Sequence, residues 1–328
     1  VLNRPVTRAG PSGFAEHASA CEARRAVALP SSVPVKIATL RLATFEEACV
    51  LFASGFVPVR AIARHLQRDW PADLLGLLTA QKLDELQAWH DGLAGELPAG
   101  LQLAAIAPSA AVFAPLYRHP RKIWGIGLNY RAHAADLNET SPTREPASFM
   151  KPDTSIIGHG DTILIPHLSQ KTTGEAELGI VFGRTCRDVP RERWRDVVAG
   201  FCTIIDMTAE DILRRNPRNL TQSKSFDTFF SFGPLFVTKD EIPDVNQVRV
   251  RTVINGRIHA ENVVANMTFP PDFLVHYHSQ IMTMLPGDLI SSGTPGAAPL
   301  AHGDTVECHV DGFPPLVNPV SDLKTPNA

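Results

Sequence analysis

The chain has 328 residues, of which 44% are hydrophobic and 20% charged, and a formal net charge of −3. That length can bury a core without disulfides or a structural metal. Charge so close to neutral provides no basic field for nucleic acid or an anionic membrane surface, so the expected partner is a small neutral or anionic molecule.

Residues 1–34 are rich in Arg, Ala, Ser and Pro, with Glu16 and Glu22 as the acids. A flexible tail is expected there; an organelle transit segment or an expression remnant would have the same composition. Residues 40–98 read as helical: Thr44-Phe-Glu-Glu47 has the form of a capping box before an apolar helix that stops at Gly55, and KLDELQAWHDGL from residue 82 has helical spacing. The longest apolar run, 101–117, is too short for a membrane span and is interrupted by Pro108 and Pro115.

Beyond an Ala/Pro-rich connector near 105–120 the texture changes to short strand candidates: KIWGIGLNY, AELGIVFG, VAGFCTIIDMT, GPLFVTKD, VRVRTVI, RIHA and DTVECHV. Asn255-Gly256 is a hairpin signal, and Pro270-Pro271 opens a helix closed by Pro286-Gly287. Many strands with few helices between them argue against a doubly wound parallel sheet. The expected class is α+β, with a small, largely helical N-terminal region over 35–115 and a mostly β catalytic domain over 116–328. Cys21, Cys49, Cys186, Cys202 and Cys308 are odd in number, scattered and free of C-x-x-C spacing, which predicts reduced thiols and a cytoplasmic protein.

Candidate chemistry begins at GEAELGIVFGR. On a strand Glu175 and Glu177 point the same way, with Cα atoms roughly 7 Å apart. A cation between them, protonation of one, or a solvated strand end would each relieve their repulsion. Asp206, at the end of GFCTIID, could join that face if the two strands are neighbours, and three carboxylates select a hard cation. Lys224, before a phenylalanine-rich stretch, could hold developing negative charge, act as a base, or snorkel at the surface. His133 has Asp136 three residues on, a spacing that lets a carboxylate orient an imidazole as a general base. His276 and His278 are two apart on the expected helix, share no face, and read as ordinary core or surface histidines. No Walker A loop, nucleophile elbow or complete dinucleotide fingerprint is present.

Seven motifs in order, KIWGIGLNYRAHAAD, SFMKPDTSIIG, SQKTTGEAELGIVFG, AGFCTIIDMTAED, KSFDTFFSFGP, NGRIHAE and LPGDLISSGTPG, resemble the fumarylacetoacetate hydrolase family, in the branch of acylpyruvate hydrolases and oxaloacetate decarboxylases. The resemblance covers roughly residues 118–312. It implies a mixed β-roll catalytic domain, commonly dimeric, with Glu175, Glu177 and Asp206 as ligands of Mg²⁺ or Mn²⁺. It also implies Lys224 beside the substrate, Thr294 in contact with it, and His133 with Asp136 activating water, on a 2-oxo or 2,4-dioxo acid. Hydrolysis of a C–C bond is the expected reaction, with decarboxylation, isomerisation or a silent homologue as alternatives. Four positions depart from the family pattern: Asp136 stands where Glu is common, with Glu139 as a substitute, Glu210 and Leu213 replace an arginine and a glutamine, and Ser231 replaces a proline. Arg214 or Arg215 is the expected replacement for the missing cation.

Overall fold

The structure is a computed structural model that describes residues 35–93, 95–131 and 142–325. His133, Asp136, Glu139 and the expected tail lie outside the described residues.

The described chain opens with an antiparallel meander, β1 (Lys36–Leu42), β2 (Phe45–Phe52) and β3 (Gly55–Pro58). This corrects the helix expected from Thr44 to Gly55. Ala48, Cys49 and Val50 are successive buried residues in β2, and a short run buried on both faces does not distinguish helix from strand by periodicity. Pairing of β1 with a distant strand decides the matter. Glu47 does not close a capping box; its Oε1 accepts from the backbone N–H of Arg60, in the first turn of helix α1 (Val59–His65). Two further helices follow, α2 (Leu74–Thr79) and α3 (Leu83–Asp91), the latter where helical spacing predicts it.

The strands then run β4 (Ile123–Gly127), β5 (Ala147–Met150), β6 (Ile156–Ile157), β7 (Ile163–Ile165), β8 (Thr172–Phe182), β9 (Val198–Ala209), β10 (Phe230–Thr238), β11 (Arg249–Ile254), β12 (Arg257–Val263), β13 (Leu289–Ser291), β14 (Ala297–Pro299), β15 (Thr305–Val310) and β16 (Leu316–Asp322). Between them lie helices α4 (Trp194–Val197), α5 (Glu210–Arg215), α6 (Leu220–Lys224) and α7 (Pro271–Ile281). Among the described residues they make two mixed sheets. One has the order β3-β2-β1-β10-β9-β8-β13-β4-β5, with β14 on β8 and β6 on β10; the other has the order β12-β11-β15-β16-β7. Asn255 and Gly256 both have positive φ, 51° and 74°, between the paired residues Ile254 and Arg257, which is the two-residue hairpin expected.

Strand β8 is the spine. Ala176, Leu178, Ile180 and Phe182 face one core, shared with Val250, Val306, Cys308 and Leu316 of the second sheet and with Leu274 and Val275 of α7. Val181 faces the opposite core, shared with Ile37, Val50, Ile62, Leu74 and Leu77 of the first ninety residues. Glu175 and Glu177 belong to this second face by the period of two. No helix among the described residues is long and apolar enough to cross a membrane. The described cysteines, Cys49, Cys186, Cys202 and Cys308, carry free thiols.

Candidate active site

Strands β8 and β9 are antiparallel neighbours with Glu175 directly opposite Asp206, and β9 continues three residues past that aspartate to Ala209. Asp206 is therefore inside the strand and not at its end as the sequence suggested. Carboxylate oxygens of Glu175, Glu177 and Asp206 lie within 4.8 Å of one another. Like charges directly opposite across a ladder are destabilising, and these are buried as well, so positive charge must compensate them.

Two lysines supply it. Lys224, the last residue of α6, donates from Nζ to Asp206 Oδ2 at 2.7 Å and to Glu175 Oε2 at 3.1 Å. It is 5% exposed and sits over the Phe149 ring at 4.6 Å, which rules out the snorkelling alternative. Lys151, just beyond β5, donates to Asp206 Oδ1 and to the Met207 carbonyl. No role for Lys151 was legible beyond its place in SFMKPDTSIIG, because its partner is 55 residues away.

The electrostatics follow from this packing. Burial pushes the Glu177 carboxyl up to about 8, reinforced by Asp206 and Glu175. Burial opposes ionisation of Asp206 too, but the Lys151 and Lys224 ammoniums outweigh it and hold that group below the usual carboxylate range. Lys224 is held above its ordinary value because Asp206 and Glu175 overcome its desolvation. Burial lowers Lys151 to about 8, against the pull of Asp206.

Each glutamate is also oriented from outside the cluster. Glu175 Oε1 accepts from Thr208 Oγ1 at 2.7 Å. Glu177 Oε2 accepts from Ser291 Oγ at 2.5 Å and from the Gly293 backbone N–H at 2.8 Å. Thr294 follows in that same loop, buried, with its hydroxyl bonded to the Gly296 backbone. Tyr130 is fully buried, and its hydroxyl has no partner among the described residues. Burial holds that phenol protonated, and Glu177 adds to the effect when it ionises.

The departure at Glu210 has a local compensation. Glu210 Oε1 accepts from Arg214 Nε at 2.7 Å and Oε2 pairs with Lys171 Nζ at 2.8 Å. The buried anion is thus neutralised, and the three groups together carry one positive charge. Arg214 is bound into this second ion cluster, with its side chain 58% exposed. His276 and His278 make no shared site: His276 Nδ1 bonds the Val189 carbonyl and the buried His278 bonds that of Leu274.

The donor set of the cluster fits a divalent cation. It offers oxygens alone, at close quarters, in a cradle that already draws in two ammoniums; such ligands suit Mg²⁺ or Mn²⁺.

Residues 122–321 match the family model described as fumarylacetoacetate (FAA) hydrolase C-terminal. An uncharacterized protein of Archaeoglobus fulgidus is 39% identical over 193 residues, 58% of this chain and 75% of its own length. The crystal structure of 5-carboxymethyl-2-hydroxymuconate delta-isomerase from Mycobacterium smegmatis is 33% identical, with a TM-score of 0.61 over 67% of this chain and 86% of that one. Maleylpyruvate hydrolase from Sphingobium sp. SYK-6, solved with manganese (II) ion and pyruvate, has a TM-score of 0.70 over 88% of this chain and 99% of its own; at 23% identity that likeness is one of fold. Motifs, buried carboxylates and the match over 122–321 lead to one conclusion: the chain belongs to the fumarylacetoacetate hydrolase family.

Proposed function

We propose that the chain hydrolyses a C–C bond in a 2,4-dioxo acid, an acylpyruvate-like substrate, with Mg²⁺ or Mn²⁺ held by Glu175, Glu177 and Asp206. The observation that carries this is the buried cluster of three carboxylates with two lysines pointing into it. Bound there, a divalent cation would polarise the carbonyl of a 2-oxo acid and offset the negative charge that builds as the C–C bond breaks.

The chain's own residues divide the remaining work. Lys224 and Lys151 place ammonium donors at the buried carboxylate cluster, where they can stabilise negative charge on the substrate. Tyr130 offers a protonated phenol from the side of Glu177. Thr294 is proposed as a substrate contact, and Arg214 as a cation for an anionic end of the substrate. His133, oriented by Asp136, is proposed to take a proton from water, whose oxygen adds to the acyl carbon while the departing carbon is protonated. Hydrolysis of an acylpyruvate then yields pyruvate and a carboxylic acid. Every residue named here falls in 116–328, which we take as the catalytic domain, and we propose that it works as a homodimer in the cytoplasm.

Acetylpyruvate tests the proposal. Loss of its enol absorbance with Mn²⁺ or Mg²⁺, abolished by chelator and yielding pyruvate and acetate, is expected; His133→Ala should abolish it. A second reading, a 2-oxo acid isomerase or decarboxylase, is favoured by the 33% identity to the delta-isomerase. Turnover of oxaloacetate that survives His133→Ala but not Glu177→Ala, with acetylpyruvate untouched, would select it.

A further inference from the structure

We infer that Ser291 is a positioning residue for Glu177, holding one carboxylate oxygen so that the other is the one presented to a divalent cation. The inference rests on the proposed metal site, and it concerns a residue whose local sequence gives no sign of a role.

Ser291 ends β13 and pairs with Gly179, two residues beyond Glu177 on the neighbouring strand. It is completely buried, and its hydroxyl donates to Glu177 Oε2. The Gly293 amide donates to the same oxygen. Two donors on Oε2 saturate one end of the carboxylate, while Oε1 receives no hydrogen bond from the described residues. A carboxylate held in this way meets a cation through a single oxygen with its orientation set in advance, which is what outer-shell donors do for metal ligands.

The donors are themselves held in place. Ser292, between them, bonds the Leu178 carbonyl through both its N–H and its hydroxyl, at 3.1 and 2.7 Å. Asn129 Nδ2 donates to the Ser292 carbonyl at 2.7 Å. Gly293 has φ +99°, and a Cβ there would stand 2.7 Å from Asn129 Cβ, so only glycine lets the loop turn its amide toward Glu177. The loop is thus stitched to β8 on either side of the one side-chain hydroxyl that reaches the glutamate.

Calorimetric titration with Mn²⁺ tests this on wild type, Ser291→Ala and Ser291→Thr, alongside metal-free melting temperatures. Ser291→Ala should bind Mn²⁺ about tenfold or more weakly, the usual effect of losing an outer-shell partner, and Ser291→Thr, which keeps the hydroxyl, should bind close to wild type. Ser291→Ala binding as tightly as wild type would overturn the inference and leave the metal site standing. A lower metal-free melting temperature with unchanged affinity would do the same, since it shows a packing role alone. Wild type that binds no Mn²⁺ would remove the metal site itself, and the inference with it.

Discussion

At the scale of single residues, the site sets buried charge against buried charge. Lys151 touches Asp206 with its side chain fully buried; breaking such a pair costs about 3–5 kcal/mol when the other partner is left unpaired, and because Lys224 still bonds Asp206 here the cost lies at the low end. Lys151→Met should therefore lower the urea-unfolding free energy of the metal-free protein by about 3 kcal/mol, and saturating Mn²⁺ should restore part of it. No change in the unfolding midpoint would show that the pair is not formed. The raised Glu177 carboxyl makes a second prediction. Its ordinary value is 4.5 and its folded value about 8, so its share of metal-free stability is present below about 4.5 and lost as pH rises to about 8. A cation needs the ionised form, so Mn²⁺ affinity should rise by about tenfold per pH unit toward pH 8 and level off above it. Titrations between about pH 6 and 9 that give a flat affinity would contradict this. Glu175, Glu177 and Asp206 were legible because strand periodicity and family motifs mark them. Lys151, Thr208 and Ser291 were not, since each acquires its role from a partner that only the folded sheet brings near.

At the scale of elements, local signals succeeded where local chemistry decides the structure. Asn255-Gly256 needs two positive φ values, and these residues take them at least cost. A Cβ added at Gly256 would meet nothing within 4 Å, so Gly256→Ala should cost about 1–2 kcal/mol from backbone conformation alone, leaving metal affinity unchanged. Gly293→Ala is different: its Cβ would collide with Asn129, so both the melting temperature and Mn²⁺ affinity should fall. Equal effects of the two substitutions on metal binding would mean that the Gly293 loop does not serve the site. The misread segment 44–55 shows the converse. Its pairing partner β1 is adjacent, but β1 is anchored by Lys36, Ile37 and Ala38 to Val237, Phe236 and Leu235 of β10, about two hundred residues away. No local pattern reports that contact, and tertiary pairing overrode the capping-box reading.

At the scale of the whole molecule, that same contact joins the N-terminal meander to β10, the neighbour of the acid-bearing β9. Ile37, Val50, Leu74 and Leu77 share one core with Val181, Ile204, Phe230, Phe232 and Phe236. A chain beginning at residue 118 would expose those aromatic and aliphatic side chains, so it should bind a hydrophobic dye and aggregate in size-exclusion chromatography. A soluble truncated chain with a cooperative unfolding transition would show that 116–328 folds on its own. The buried cluster of Glu175, Glu177 and Asp206, with Lys151 and Lys224 against it, is proposed to receive a divalent cation. The most direct measurement is an anomalous difference map at the manganese absorption edge, from crystals grown with Mn²⁺ and pyruvate. The expected result is one peak among the Glu175, Glu177 and Asp206 carboxylates with pyruvate beside it; density showing the two lysine ammoniums filling that space and no manganese peak would contradict it.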